Sequence, residues 1–591
     1  MKKAVKSLLA LSLAFIISLV SANTSLAAFL VYPDYHLSEP KNYDTASVSS
    51  TVLENVLDTE AFVDYLIEQL KVIDCTHTIQ GSPNLFGYID ISKFKIPYSS
   101  EMWTALSSLI WYNSPELFRI YSMGYTTSSG NFSIIAFSQN YTKEAYAVML
   151  EEMYASAEKL LKNIKGNENL NDVEKALLLH DRLALLCEYD YDSYLAGTIP
   201  ESSYNAYGVL VLKDAVCKGY ALAYDYLLEQ VGIESDYCSS DDINHAWNIV
   251  YINNKPYHVD VTWDDPTWDT SGRVLHKNFL RSTNGIIETG HIKSGKTTID
   301  YTATPTDTTY DEYFWQSSQA AFQLLDDKIY YIDTTNKSLQ LLNSIDGSDS
   351  EKIKTLPYEW KPSATSFYSG SYSKLSCDGK FLYYNTPDTV IRFDLVTQTE
   401  EEFFKPDLTI FDDYYWIYGF DIKDNKIVCE IYSSPNFNRT VKEKFTLTYD
   451  LYQLILPTDE DSSIDKENNV IFSQNTICKN IEEICKTAED VTCNVTPSAN
   501  FGEYSYLGTG SVITLYKNEE KIAEYTIVID GDLDGDSICD ALDVALTEMS
   551  MNKNRTPSEI ECYAANGMAS SNIDINSFQH IVNTAIKDHL W

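Results

Sequence analysis

The stretch HAWNIVYINNKPYHVDVTWDD, residues 245–265, constrains the fold of this chain more than any other. Apolar residues alternate on both sides of Asn253–Asn254, the pattern of a β-hairpin closed by a two-residue turn. Side chains of a strand point to alternate faces, so parity decides which of them can meet. A two-residue turn sets Asp260 opposite Trp247 and leaves His245 two residues away on the same face. His245 and Asp260 then become diagonal neighbours within side-chain reach. A three-residue turn would reverse the parity and separate them.

Just upstream, DAVCKGYALAYDYL (214–227) opens a helix. Cys217, Tyr220, Ala221, Tyr224, Leu227, Leu228 and Val231 fall at helical spacing, and Gly232 suits the turn beyond its end. Periodicity alone makes Cys217 a core cysteine. A helix N-terminus, however, favours a thiolate. Asp214 stands where it could cap the helix, Lys218 adds a cation, and Gly219 leaves room for a substrate backbone beside the sulfur. A histidine can take the thiol proton, and a carboxylate can orient that histidine. Cys217, His245 and Asp260 are therefore the candidate nucleophile, base and orienting acid. His180 and Cys187 lie on the apolar stripe of a helix over 171–187 that opens with a capping box, Asn171 and Glu174. Both read as packed core residues. Trp247 and Trp263 read as wall and core.

The chain has 591 residues, too many for one core, so several domains are expected. Lys+Arg 44 against Asp+Glu 85 gives a net charge of −41. Nucleic acid and anionic lipid both need a basic face, so neither is an expected partner. Lys2, Lys3 and Lys6, the apolar run Leu8–Val20 and the small residues Ala22, Ala27 and Ala28 form a signal peptide over 1–28. That run is short for a membrane span, and no later stretch reaches 18 apolar residues. The expected product is secreted and extracellular, with no transmembrane segment after signal removal. Eleven cysteines without a CxxC leave at least one thiol unpaired, and Cys217 is the candidate. One bridge among Cys478, Cys485 and Cys493 is open.

Residues 29–150 form an N-terminal α/β extension, with a helix at 59–73 and a strand at 132–141; a long helix follows at about 143–165. Between 305 and 455, DKIYYID, DGKFLYYN and DNKIVCEIY recur from Asp327, Asp378 and Asp424. A turn and a Tyr-rich strand at a period of about 50 residues suit propeller-like blades, with another small all-β domain as the alternative. Residues 456–528 read as a small α/β module, with CKNIEEICKTA as a short helix and SVITLYKNEEKIAEYTIVI as a hairpin. In DLDGDSICDALD (532–543), Asp532, Asp534, Asp536, Asp540 and Asp543 take positions 1, 3, 5, 9 and 12 of a calcium loop, with the Ile538 carbonyl at 7. Ser537 replaces the glycine usual at position 6, which strains the turn and weakens binding.

VCKGYALAYDYLLEQVGI, NHAWNIVYINNKPYHVDVTWDDP and EKALLLHDRLALLCEYD together resemble the transglutaminase-like superfamily in its exported bacterial form. SPELFRIYSMGY extends the resemblance to roughly residues 100–290. It implies an α+β papain-like core over 151–300, with Cys217 as nucleophile, His245 as base and acid, and Asp260 orienting His245. The family places the base before Ala-Trp, which prefers His245 over His258. It also implies an oxyanion hole from the Cys217 N–H and a second donor, for which Tyr207 in NAYGVL is the candidate. An acyl-enzyme on Cys217 can pass to water or to an amine. Hydrolysis of a protein or peptide substrate is the first reading and transamidation the second. DLDGDSICDALDVALTEM resembles a type I dockerin repeat. AANGMASSNIDINSFQHIVNTA resembles the tail of a second one, with Ile573, Asp574, Phe578 and Ile581 in place but Met568, Ser570 and Ser577 where acids or amides belong. That resemblance implies a small α-helical calcium-binding module over 529–591, one competent calcium site and a cohesin-type scaffold partner. The competing class is a non-catalytic extracellular binding or assembly protein.

Overall fold

The computed structural model describes residues 53–587, apart from 54, 79–83, 266, 268, 292–303, 344–349, 369, 412–413, 424–425, 435–443, 451–454, 458–461, 466–468, 475–483, 488–490, 502–503, 518–519 and 567–572. Residues 1–28, expected as a signal peptide, lie outside the described residues. The chain forms two compact units. The first takes the described residues up to Ile422 together with Val428–Thr448, and the second takes Lys423–Ile427 and Tyr449 onward.

The first unit opens with α1 (Thr59–Val72), capped by Asp58 and burying Phe62, Leu66, Ile67 and Leu70. Four strands, β1 (His77–Thr78), β2 (Leu85–Asp90), β3 (Ile120–Ser128) and β4 (Asn131–Gln139), form a sheet in the order β1-β2-β4-β3, with α2 (Ser100–Tyr112) between β2 and β3. The next helix, α3 (Lys143–Leu161), stops short of 165. In α4 (Asp172–Leu186), Asn171 and Glu174 make both halves of the expected capping box.

α5 (Cys217–Glu229) packs on a three-stranded antiparallel sheet of β5 (Ser235–Ser240), β6 (His245–Ile252) and β7 (Lys255–Val259). Asn253 and Asn254 both take the left-handed conformation, at φ 51° and 61°, as a type I′ turn requires. The turn therefore has two residues. Asn248 faces Val259 and Ile249 faces His258, the register expected from the alternation. α5 is buried around nearly its whole girth, not on one stripe. The Tyr224 hydroxyl donates to the Ala176 carbonyl of α4 at 2.9 Å, and Asn248 Nδ2 donates to the Ala221 carbonyl from β6 at 3.0 Å. Leu227, Leu228, Ile249 and Val250 are fully buried, each contributing about 1.5–3 kcal/mol.

Two details of this helix differ from the sequence expectation. Asp214 does not cap it: the N-cap is Val216, with no side-chain bond, and Asp214 sits in a short parallel pairing with Glu188. Gly219 does not leave open room beside the sulfur. A Cβ there would lie 2.7 Å from the Ser203 carbonyl and 3.1 Å from that of Asn205, so the glycine admits the chain's own backbone.

Three antiparallel meanders follow. They are β8–β11 (Gln323–Leu325, Lys328–Asp333, Ser338–Leu342, Ser350–Thr355), β12–β15 (Leu375–Cys377, Leu382–Asn385, Val390–Asp394, Thr399–Phe404) and β16–β18 (Trp416–Lys423, Lys426–Tyr432, Phe445–Asp450). Each recurring segment supplies the second strand of its meander: β9, β13 and β17. No closed barrel joins these strands among the described residues. Trp315, Phe322, Leu324 and Tyr331 share one apolar core with α4 and α5.

In the second unit, five strands run in the order Ser462–Asp465, Val470–Ser473, Glu520–Ile529, Val512–Lys517, Thr492–Thr496. The expected hairpin over 511–529 is present. The short helix expected over CKNIEEICKTA is not what its end forms. Cys485–Thr487 is a strand paired with Ile455–Pro457, and Ile484 and Cys485 are buried in the sheet core. A buried pairing edge overrides weak helical propensity in so short a segment. Residues 478–483 lie outside the described residues, and the described part of 456–528 is all β. Three helices, α6 (Ala541–Met551), α7 (Glu559–Asn566) and α8 (Ile575–Lys587), pack through Val544, Tyr563 and Ile581 against Val470, Phe472 and Val528 of that sheet. No disulfide forms among the described cysteines, so none joins Cys485 and Cys493, and Cys478 lies outside the described residues. No helix among the described residues is long and apolar enough to cross a membrane.

Candidate active site

Cys217 is the first residue of α5, half-buried, where the helix presents N–H groups without intrahelical partners. His245 opens β6 and Asp260 follows β7, so one hairpin carries both. His245 Nε2 donates to Asp260 Oδ2 at 2.7 Å. That leaves Nδ1 for Cys217, whose thiol is hydrogen-bonded to the same imidazole. Asp260 Oδ1 accepts the Trp263 N–H at 3.2 Å and so starts the helical turn Val261–Asp264. The imidazole of His245 stacks on Trp263 at 5.0 Å and on Trp247 at 5.7 Å.

Burial opposes a charge on His245, but the Asp260 carboxylate and the Cys217 sulfur more than offset it and push its pKa up to about 10. Burial also opposes ionisation of Asp260. The histidines that face it outweigh burial and hold its carboxyl below the usual carboxylate range. His258, the other histidine of the hairpin, is a structural acceptor. Trp247 Nε1–H donates to its Nδ1 at 3.0 Å, and burial together with His291 pushes its pKa down to about 3. Lys218 is buried with its ammonium 5.0 Å from the Tyr112 ring centroid; burial lowers its pKa to about 7 against the pull of Glu201 and Cys217.

Tyr207 is not placed as an oxyanion donor. Its hydroxyl donates to Glu152 Oε2 on α3 at 2.7 Å. The phenols that feel a charge on Cys217 are Tyr189, Tyr204 and Tyr237. Sequence reasoning missed His291. Its Nε2 donates to Asp260 Oδ2 at 2.7 Å, its Nδ1 lies 3.2 Å from Thr289 Oγ1, and its ring packs 4.1 Å from Trp263 and edge-on to Trp247 at 4.9 Å. It arrives from a loop end with no periodicity around it, so no local signal announces it. His180, read as a packed residue, is fully buried. Its Nδ1 lies 2.8 Å from Asp181 Oδ1, and its Nε2 lies at ion-pair distance, 3.4 Å, from Asp264. Cys187 is buried, as a core cysteine would be.

In the acidic loop, Asp532, Asp534 and Asp536 each offer an oxygen within 4.8 Å of the others. Asp540 and Asp543 are not gathered with them. Asp540 caps α6 by accepting the Leu542 N–H at 2.7 Å, Asp543 accepts the N–H groups of Leu533 and Asp540 at 2.7 and 2.8 Å, and Ile538 donates its N–H to Asp536 at 2.9 Å. Burial pushes Asp532 up to about 6 and Asp543 up to about 7, with neighbouring carboxylates adding to the rise and backbone N–H groups opposing it. A divalent cation would relieve that crowding, and an all-oxygen donor set suits calcium. Ser537 takes the left-handed φ of 78° that a glycine would adopt freely, and its Oγ is buried without a partner. In the second half, Ile573 and Ile581 are buried, and Ser577 bonds Asn566 and Asp574; Met568 and Ser570 lie outside the described residues.

No family model matches this chain, and no curated protein matches it. Among solved structures, a chain described as "Crystal structure of a TGase" aligns with 43% of this chain and 70% of its own length, at 12% identity and a TM-score of 0.19. The likeness is weak.

Proposed function

We propose that the chain is a cysteine-dependent amide-bond enzyme that works through a thioester on Cys217. The observation that carries this reading is one imidazole joined at once to a helix-terminal thiol and to a buried carboxylate. His245 holds on Nδ1 the proton given up by Cys217, and the sulfur attacks the substrate carbonyl as the thiolate. The C–S bond forms, and first-turn N–H groups of α5 stabilise the developing oxyanion. As the C–N bond breaks, His245 gives its proton to the leaving amine. Water then attacks the thioester, His245 takes a proton from that water, and the thiol is restored as the acid leaves. Asp260 keeps the imidazole in the tautomer with Nε2–H and stabilises its charge. Water is the acceptor in this reading, and protein or peptide the substrate.

The C-terminal module in this reading is dockerin-like, with calcium held by Asp532, Asp534 and Asp536. Calcium would offset two of the three carboxylate charges and stiffen the loop that starts α6. A cohesin-type scaffold is the matching partner, and the protein works outside the cell.

The test is brief alkylation of the folded protein with iodoacetamide at pH 6, mapped by peptide mass spectrometry. Cys217 should label fastest of all the cysteines, and His245→Ala should slow it by about 10²–10⁴-fold, the range for a positioned acid–base. A Cys217 no faster than the buried cysteines, or a rate unchanged in His245→Ala, sinks the reading.

A further inference from the structure

A small cavity opens between the end of α2 and the start of α5. It has a volume of about 40 Å³ and is lined in part by Trp111, Ser114, Glu201, Tyr204 and Lys218. Cys217 does not itself line it, but Lys218 follows Cys217 in the chain, and Lys218 and Tyr204 both feel its charge. Two of its polar groups have no partner in the protein. Trp111 Nε1 and Ser114 Oγ are buried without a hydrogen bond, in residues 8% and 5% exposed. An unsatisfied buried donor costs about 1–3 kcal/mol, so the cavity suits a polar occupant.

The chemistry of the lining selects that occupant. An indole N–H and an ammonium can only donate, so the occupant must accept. A water needs roughly 10–15 Å³ of such space, so the cavity has room for about three waters, which is the size of a carboxylate head. Lys218, whose charge Glu201 supports against burial, favours a charged acceptor over a neutral one. Glu201 also lines the cavity and already accepts from Asn140 Nδ2 at 3.5 Å. Ile110, Leu117 and Leu222 form apolar wall. That wall suits the methylene stem of an acidic side chain and not the amide next to a chain-terminal carboxylate.

We infer that this cavity binds the carboxylate of an acidic, glutamate-like side chain of the substrate. Its use in substrate choice rests on Cys217 being the acyl-forming nucleophile; the binding itself does not. The test is ¹⁵N indole NMR of the full chain, with the Trp111 signal assigned by Trp111→Phe. Propionate, propionamide and N-acetylglycine are titrated at constant ionic strength. Propionate should shift the Trp111 signal saturably, propionamide should bind at least about tenfold more weakly, and N-acetylglycine more weakly than propionate; each decade is about 1.4 kcal/mol. Ser114→Ala and Lys218→Met should each weaken propionate about tenfold, as loss of one hydrogen bond to a charged group does. Ser114→Ala carries the test if Lys218→Met does not fold.

No saturable shift with propionate means that water alone fills the cavity, which overturns the inference. Equal binding of propionamide overturns the carboxylate, and tighter N-acetylglycine overturns the side chain. Propionate affinity unchanged in Ser114→Ala overturns the site. Iodoacetamide labelling in the same samples separates the two readings. An inert Cys217 beside a working propionate site overturns the chemistry at Cys217 and leaves this binding site standing.

Discussion

His245 uses both of its ring nitrogens, one for the sulfur and one for Asp260, and Asp260 in turn serves two histidines with a single oxygen. His291 is the residue whose contribution is least expected from position alone. Removing it takes a hydrogen bond from a buried carboxylate, a loss of about 1.5–3 kcal/mol or roughly ten- to a hundred-fold in rate. His291→Ala should therefore slow iodoacetamide labelling of Cys217 by that factor. His291→Gln, which can still donate to Asp260, should recover most of it. Equal rates for wild type and His291→Ala, with both proteins folded by circular dichroism, would show that Asp260 needs only His245. His245 and Asp260 were legible in the sequence because strand parity brings them together. His291 was not, because nothing in its neighbours records a contact with Asp260.

At the scale of elements, two short stretches carry most of the geometry. The paired left-handed asparagines Asn253 and Asn254 hold the hairpin in the register that aligns His245 with Asp260. Local chemistry sets that turn, so it could be read in advance. The acidic loop Asp532–Asp543 was equally legible as spacing, yet the structure gathers only Asp532, Asp534 and Asp536. The other two aspartates serve backbone N–H groups at the start of α6. Ser537 is the weak point of this loop. A side chain in the left-handed conformation costs about 1 kcal/mol relative to glycine. Ser537→Gly should therefore tighten calcium binding about fivefold in calorimetric titration of the full chain. Asp534→Asn should weaken it instead. A titration without heat in the wild type would remove calcium from the loop altogether.

Across the first unit, a buried network joins the site region to the first meander. Asp181 faces His180 at 2.8 Å and His276 at 3.0 Å, and accepts the Phe322 N–H at 2.6 Å. All four residues are nearly or wholly buried. Asp181→Ala takes a buried charged partner from two histidines and an amide, and should cost about 3–5 kcal/mol of stability. Burial opposes charge on His180, yet Asp181 and Asp264 push its pKa up to about 9. A histidine in the unfolded chain releases its proton near about 6.5. The stability from His180 is thus fully present below that pH and is lost as pH rises through about 9. His245, pushed up in the same way, acts in the same direction. Denaturant melts from pH 6 to 10 should show the first unit weakening, with a shallower slope in Asp181→Asn. A flat wild-type profile would mean that neither histidine holds its proton in the fold.

What the sequence determined by itself is what neighbours along the chain can set. That covers the capped helices, the two-residue turn and its register, the position of Cys217 at a helix start, and the spacing of the acidic loop. Each follows from periodicity or turn chemistry over a few residues. Only the tertiary structure decided the rest. It turned the Tyr207 hydroxyl to Glu152, filled the space beside Gly219 with the Ser203 and Asn205 carbonyls, and made Cys485–Thr487 a strand. It also brought His291 onto Asp260 and left Trp111 and Ser114 facing a cavity. These outcomes depend on residues far apart in the chain, whose burial and partners are settled when the elements pack and leave no pattern within either segment alone.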